Sequence, residues 1–131
     1  MSATILLVED NQHYLKINQK ILSSKGYKVL EAETLAKGRE LFLQEKPELI
    51  ILDIMLPDGN GLELCEELRA GNDVPILFVS AKKADDDIIA GFEAGGDDYL
   101  PKPYGLEILL KRVETILNRT NRGPDITNKG C

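Results

Sequence analysis

Three carboxylates in the sequence follow directly on short apolar segments. Asp53 ends the run L-I-I-L-D, and Glu9 and Asp10 follow the run T-I-L-L-V. Three carboxylates brought within several ångströms repel one another and raise each other's pKa values unless a cation joins them. Mg²⁺ is the natural ion, because it needs only one or two carboxylates, retains several waters and accepts phosphate oxygens. The residue types therefore predict a magnesium site that includes Asp53.

A hydroxyl and an ammonium group follow two further apolar segments. Ser80 comes after V-P-I-L-F-V, and Lys102 comes after Y-L-P. Beside a magnesium-bound carboxylate, these groups would be donors for a phosphoryl group, with Asp53 as the only well-placed nucleophile. The predicted reaction is phosphoryl transfer to Asp53, in which the protein contributes mainly position and charge. Taken alone, Asp53 could simply begin a turn, and it is the other polar residues that favour chemistry.

The elements that must position these side chains alternate along the chain. The apolar run before Asp53, bounded by Pro47 and Pro57, is typical of a strand buried on both faces of a parallel sheet. In the helix predicted around 84–94, Ile88, Ile89 and Phe92 are expected to face inward. The patterns as a whole predict strands over about 4–8, 27–31, 49–52, 74–79 and 99–100, and helices over about 12–24, 34–45, 60–70, 84–94 and 105–118.

Five strands alternating with five helices predict an α/β fold, a doubly wound five-stranded parallel sheet in the order 2-1-3-4-5 with helices on both faces. The switch point of this order lies between strands one and three. Glu9, Asp10 and Asp53 should therefore converge there. One domain is expected over residues 1–118, and the polar segment 119–131 is expected to be a linker or flexible tail.

The bulk properties restrict the class of protein. A net charge of -6 argues against direct nucleic-acid binding, because phosphate contacts need clustered Lys and Arg. The sequence has no apolar run near the roughly 20 residues that span a bilayer and no signal-peptide pattern, so no membrane contact and a cytoplasmic location are expected. Cys65 fits a core position, Cys131 is a tail thiol, and His13 is expected at the surface.

At this point the chain, over roughly residues 4–118, resembles the receiver domains of two-component response regulators. The resemblance is carried in combination by V-E-D-N, L-D-I-M-L-P-D-G-N-G, V-S-A and D-D-Y-L-P-K-P-Y. It implies the flavodoxin-like receiver fold and a cis Lys102-Pro103 bond. Carried over by position, the resemblance implies that Asp53 is the phosphoacceptor and that Glu9, Asp10 and the Met55 backbone carbonyl are further Mg²⁺ ligands. It implies that Lys102 pairs with the phosphate. It also implies that Ser80 is the switch hydroxyl and Tyr99 the switch aromatic.

The resemblance also implies a signalling cycle rather than an enzyme acting on a free substrate. A sensor histidine kinase or phosphotransfer protein would supply the phosphoryl group, and the domain would catalyse only its own phosphorylation and dephosphorylation. Ser80 would then turn toward the phosphate and Tyr99 would swing into the vacated space. The surface formed by the fourth helix, fifth strand and fifth helix would thereby change. Glu9 and Ser80 replace the family's commoner aspartate and threonine, and both are usual variants.

Within the family, the chain most resembles the subgroup linked to winged-helix DNA-binding domains. That subgroup forms a symmetric dimer through cross-subunit ion pairs on the changing surface. An effector domain controlling transcription would follow Arg119 and is absent from this chain. The matching candidates for the ion pairs are Asp97, Asp98, Arg112 and Arg119, which are otherwise ordinary surface charges.

Three alternatives share parts of this pattern. A haloacid dehalogenase phosphatase needs a second aspartate two residues after the nucleophile, where this chain has Met55. A flavodoxin-like nucleotide module needs a Gly- or Ser/Thr-rich phosphate loop after the first strand, where Glu9 and Asp10 would repel a phosphate. A phosphorylation-independent scaffold usually lacks some of the acids or the lysine, and all of them are present here.

Overall fold

Seven strands and five helices occur in residues 3–121, the part of the chain that the computed structural model describes. In chain order they are β1 (Thr4–Val8), α1 (Gln12–Ser24), β2 (Lys28–Ala32), α2 (Leu35–Glu45), β3 (Leu49–Asp53), β4 (Met55–Leu56), β5 (Gly59–Asn60), α3 (Gly61–Arg69), β6 (Ile76–Ser80), α4 (Asp85–Glu93), β7 (Asp98–Pro101) and α5 (Leu106–Asn121).

Five of the strands form one parallel sheet in the order β2-β1-β3-β6-β7. The central strand β3 pairs with β1 on one side and with β6 on the other, and every residue of β3 and β6 is buried. Strand β2, which mixes apolar and polar residues, lies at an edge. When only the strands of this sheet are counted, the order is the predicted 2-1-3-4-5, and the doubly wound fold is confirmed.

Two apolar layers hold the helices against the sheet. Because side chains alternate along a strand, Leu6, Ile50 and Phe78 face the layer that α2, α3 and α4 cover. Their neighbours face the layer that α1 and α5 cover, with Leu109 and Val113 of α5 fully buried. Cys65 lies in the first layer, as predicted. The helices therefore pack on the two faces of the sheet.

A small antiparallel hairpin that the sequence did not predict follows β3. Strands β4 and β5 pair through Met55 and Asn60, and the Gly61 N–H donates to the Ile54 carbonyl at 2.8 Å. A Cβ on Gly61 would overlap the backbone of Asp53 and Ile54, so glycine is required there. Strands of two residues are too short for a periodic signal.

The fourth helix differs from the prediction. Ile88 packs against the core, but Ile89 and Phe92 are 52% and 47% exposed, so their predicted inward orientation is wrong. The buried position one turn after Ile88 is Gly91, which lets the helix backbone lie directly on Tyr99 and Phe78. Since residues three apart share a helix face, the side chains next to Ile88 and Gly91 turn outward.

The last helix also runs further than predicted, to Asn121 rather than to about 118. The remainder of the predicted tail, including Cys131, lies outside the described residues. Among the residues described, no helix combines the length and the apolar character needed to cross a bilayer.

Candidate phosphoryl-transfer site

Strands β1 and β3 bring the three predicted carboxylates together at the carboxyl edge of the sheet. Asp53 is the last residue of β3 and is 4% exposed, while Glu9 follows β1 directly and is fully buried. Asp10 is exposed. One carboxylate oxygen from each residue lies within 4.8 Å of the others. The structure thus brings these side chains together as the strand order predicts.

Lys102, just after β7, reaches back to two of these acids. Its Nζ lies 2.9 Å from Asp53 Oδ2 and 2.9 Å from Glu9 Oε1, and it donates a hydrogen bond to Glu9 Oε2 at 3.1 Å. Asp53 Oδ1 accepts from the backbone N–H of Met55 at 3.0 Å. The lysine is therefore the counter-charge of both buried carboxylates, and the Met55 backbone lies beside Asp53. The Lys102-Pro103 peptide is cis, as the family resemblance implies.

The pKa values at this edge reflect burial and pairing. Burial, together with the nearby Asp53 charge, raises the pKa of Glu9 to about 7 despite the opposing hydrogen bond from Lys102. Burial would lower the pKa of Lys102, but its bonds with Asp53 and Glu9 outweigh that effect and hold the pKa above its usual value. The lysine is therefore charged at neutral pH, whereas Glu9 can take up or release a proton there.

The oxygens at this edge fit a hard divalent ion. Glu9 Oε1 is buried and, although it lies near the lysine, has no hydrogen bond of good geometry within the described part of the chain. Asp10 adds an exposed carboxylate on the solvent side. A buried carboxylate oxygen without a well-aligned hydrogen bond, beside two further carboxylates, belongs to a set of ligands suited to Mg²⁺, which keeps its remaining positions for water or phosphate oxygens. The acidic cluster could therefore hold the predicted ion.

Ser80 and Tyr99, the predicted switch residues, are both buried. Ser80 is the last residue of β6, and its Oγ accepts from the Lys82 N–H at 3.1 Å. The Tyr99 hydroxyl donates to the Lys82 carbonyl at 2.5 Å, and the side chain is only 5% exposed. Both residues thus contact the same peptide segment, which begins the loop between β6 and α4.

The four charged residues predicted for an interface are placed on or near β7 and α5. Arg112 Nη1 donates to both oxygens of Asp98 at 2.8 Å, within the same chain. Asp97 accepts from Arg69 at 3.0 Å and from the Ile76 N–H at 2.8 Å. Arg119 is exposed on α5. Asp97, which directly precedes β7, is therefore bonded to α3 and β6, whereas Asp98 is paired with α5.

Sequence reasoning missed three residues behind Lys102. The Lys102 Nζ lies 4.3 Å above the centre of the Tyr14 ring, and that ring lies 5.5 Å from the ring of Tyr104. Asn18 Nδ2 donates to the Tyr104 hydroxyl at 2.7 Å. One signal was available: Asn18 is a polar residue on the inner face of α1, where it is fully buried.

Comparison with known proteins decides the family. Residues 5–114 match the response regulator receiver domain. The chain belongs to this family. The receiver domain is also 40% identical over 128 residues, 95% of this chain, to Response regulator MprA of Mycobacterium sp. (strain KMS). It is 40% identical over 121 residues to Response regulator MprA of Mycobacterium tuberculosis (strain ATCC 25177 / H37Ra). It covers 56% and 53% of these two relatives, so it spans about half their length.

Solved structures of other response regulators have the same fold. A two-component response regulator from Clostridium difficile is 32% identical with a TM-score of 0.88, the match covering 92% of this chain and 99% of that one. The BeF3-activated N-terminal receiver domain of RstA from Klebsiella pneumoniae is 31% identical with a TM-score of 0.83, covering 87% and 97%. Receiver domains bind Mg²⁺ at an acidic pocket and interact with histidine kinases, and they are signalling proteins rather than conventional enzymes.

Proposed function

We propose that this receiver domain accepts a phosphoryl group on Asp53 from a histidine kinase or phosphotransfer protein and thereby changes its output surface. The supporting observation is the surroundings of Asp53: a buried carboxylate at the end of the central strand, within 4.8 Å of Glu9 and Asp10, with the Lys102 ammonium 2.9 Å from one oxygen. Asp53 is the last residue of the central strand, belongs to the acidic cluster and contacts the lysine.

The transfer itself exchanges one bond for another. An Asp53 oxygen attacks phosphorus in line, an O–P bond forms, and the P–N bond of the partner's phosphohistidine breaks with its electron pair returning to the imidazole. Glu9, Asp10, Asp53 and the Met55 carbonyl would hold Mg²⁺, which when bound neutralises charge on the phosphoryl oxygens. Lys102 would pair with a phosphoryl oxygen, because its ammonium group already lies 2.9 Å from Asp53 Oδ2. Water later hydrolyses the acyl phosphate with the help of the same groups.

The response passes through the segment that Ser80 and Tyr99 share. Ser80 turns its hydroxyl toward the phosphoryl group, so its bond with the Lys82 N–H is exchanged for a new one. Tyr99 bonds the Lys82 carbonyl, and a shift of this segment therefore changes the Tyr99 position. Because Tyr99 lies on Gly91 of α4, the change reaches the surface of α4, β7 and α5.

That surface has the character of a protein interface. Ile89 and Phe92 of α4 and Ile108 of α5 are about half exposed, and Arg112, one helical turn after Ile108, pairs with Asp98 of β7. Exposed apolar residues bordered by charges favour association with another protein. We propose that this face forms a homodimer in the phosphorylated state, with Asp97, Asp98, Arg112 and Arg119 as candidates for ion pairs. The output would be transcription, through an effector domain outside this chain.

Labelling with a small acyl-phosphate donor tests the phosphoacceptor. With Mg²⁺, wild-type protein should gain one phosphoryl group, detected by intact mass and removed by hydroxylamine, which cleaves acyl phosphates. Asp53→Asn, which preserves shape, should remain unlabelled. The matched control is Asp58→Asn, because Asp58 is an exposed aspartate in the same loop whose carboxylate bonds the start of α2. Label in the Asp53 variant, or none in the wild type, would refute the assignment.

A further inference from the structure

Among the residues described, the ammonium group of Lys102 lies against two carboxylates and one aromatic ring. Glu9 and Asp53 supply the charged contacts at 2.9 Å each. The third is the face of the Tyr14 ring, whose centre lies 4.3 Å from Nζ. A cation over an aromatic face at this distance is attracted by the negative centre of the ring. Since the lysine side chain is only 10% exposed, water weakens this attraction little.

The ring is held in place from two sides. The Tyr14 N–H donates to the side chain of Asn11, which caps the start of α1. The Tyr104 ring packs 5.5 Å away at a tilt of 41°, and the fully buried Asn18 fixes its hydroxyl. Burial raises the pKa of Tyr104 to about 12, so this support is a neutral phenol. The orientation of Tyr14 is therefore set before any ligand arrives.

We propose that Tyr14, supported by Tyr104 and Asn18, is a positioning residue that keeps the Lys102 ammonium at the phosphoryl site. This inference rests on the proposed phosphorylation of Asp53. In the free protein, Glu9 and Asp53 hold the lysine themselves. When Asp53 carries a phosphoryl group and Glu9 faces a metal ion, both carboxylates have other partners. The contact between the Lys102 ammonium and the Tyr14 ring does not depend on either carboxylate, so it remains after phosphorylation and metal binding.

A neutral ring suits this task better than another acid would. A further carboxylate would add to the repulsion among Glu9, Asp10, Asp53 and the incoming phosphoryl group. An aliphatic side chain would fill the same space without attracting the cation. The ring restricts the flexible lysine side chain to one region and leaves its N–H donors free to turn toward phosphoryl oxygens. Tyr14 thus positions the ammonium group, and Lys102 binds the phosphoryl group.

The test uses beryllofluoride with Mg²⁺, a mimic of the phosphoryl group, and follows the fluorine-19 nuclear magnetic resonance signals of the bound mimic during titration. Tyr14→Leu removes the aromatic face but keeps an apolar side chain, and it should weaken beryllofluoride binding about threefold to tenfold. Tyr14→Phe retains the face and should bind within about twofold of wild type. The matched control is Tyr27→Leu, which removes a half-buried ring that packs against the core layer covered by α1 and α5, next to the amino end of β2.

A double-mutant cycle separates positioning from packing. If Tyr14 acts through the lysine, Tyr14→Leu should have no further effect on beryllofluoride binding in a Lys102→Ala background. Equal losses in both backgrounds, or a loss in Tyr14→Phe as large as in Tyr14→Leu, would overturn the positioning role. If Tyr14→Leu does not fold, Tyr14→Met takes its place in the cycle. Wild-type protein that takes up no label from an acyl phosphate would instead refute the proposed function, and this inference with it.

Discussion

The ring of Tyr99 lies directly on the backbone of Gly91. A Cβ built on Gly91 would be 2.8 Å from Tyr99 Cδ2 and 3.1 Å from its Cε2. Helix α4 can therefore approach β7 this closely only because residue 91 has no side chain. The glycine and the tyrosine together connect the loop after Ser80 to the surface where Ile89 and Phe92 are exposed.

Gly91→Ala should force either the ring or the helix to move. The added methyl favours the helix by its propensity, but the overlap with Tyr99 should outweigh this and reduce the free energy of unfolding by about 1–2 kcal/mol. The Tyr99 signals should also differ from wild type before any phosphorylation. Urea unfolding and nuclear magnetic resonance measure the two effects. Gly105→Ala is the control, because a Cβ there meets no atom within 4 Å. Equal stability of both variants would contradict the close contact.

The raised pKa of Glu9 predicts how stability depends on pH. In the folded chain the pKa is about 7, whereas its ordinary value is 4.5. Between these values the folded state binds more protons than the unfolded state, so the contribution of Glu9 is fully present below about pH 4.5 and is lost as pH rises through about 7. Without Mg²⁺, the protein should therefore lose up to about 3 kcal/mol of stability from this residue between pH 5 and pH 8.

Urea unfolding of Glu9→Gln, compared with wild type across this pH range, isolates that contribution. The amide keeps an oxygen for Lys102 but does not titrate, so the difference in unfolding free energy between the two proteins should change with pH. Mg²⁺ should stabilise the wild type more at pH 8 than at pH 5.5, because binding requires the carboxylate form. A difference that is constant with pH would show that Glu9 titrates normally.

Lys102→Ala should separate stability from phosphorylation. Removing the ammonium leaves Asp53 and Glu9 buried without a counter-charge, which should cost about 3–5 kcal/mol of unfolding free energy at pH 8 without metal. Mg²⁺ should restore part of that loss. Labelling of Asp53 should survive while the response of the Tyr99 surface is lost. Lys83→Ala, a change of an exposed lysine, is the control for both measurements. A normal Tyr99 response in Lys102→Ala would exclude the lysine from the switch.

The sequence predicted those features that follow from strand order. Once β1 and β3 are neighbours, Glu9, Asp10 and Asp53 must meet, because parallel strands end at the same edge. Features that depend on side-chain packing could not be predicted from the sequence. Ile89 and Phe92 fit an inward helical pattern as well as Ile88 does, and only the contact of Gly91 with Tyr99 decides which face turns in.

The residues behind Lys102 were missed for a related reason. Tyr14 and Tyr104 are 90 positions apart in sequence, and each alone looks like an ordinary apolar residue near the end of an element. Their contact depends on how α1 and the segment after β7 pack against each other. Asn18 is a polar residue on the inner face of α1, and a single buried amide does not identify its partner.

Loss of Arg112 should reveal whether the surface of α4, β7 and α5 forms a dimer. In the single chain Arg112 bonds both oxygens of Asp98 at 2.8 Å, and the arginine side chain remains 41% exposed, so the pair can be exchanged for one across an interface. Exposed pairs add little to the stability of a fold, about 0–1 kcal/mol. Arg112→Ala should therefore unfold almost like wild type and take up label normally. It should nevertheless fail to dimerise when phosphorylated, as measured by sedimentation.

Lys111→Ala, a change of the adjacent exposed cation, should dimerise normally. Dimers of phosphorylated Arg112→Ala as stable as those of wild type would remove this residue from the interface.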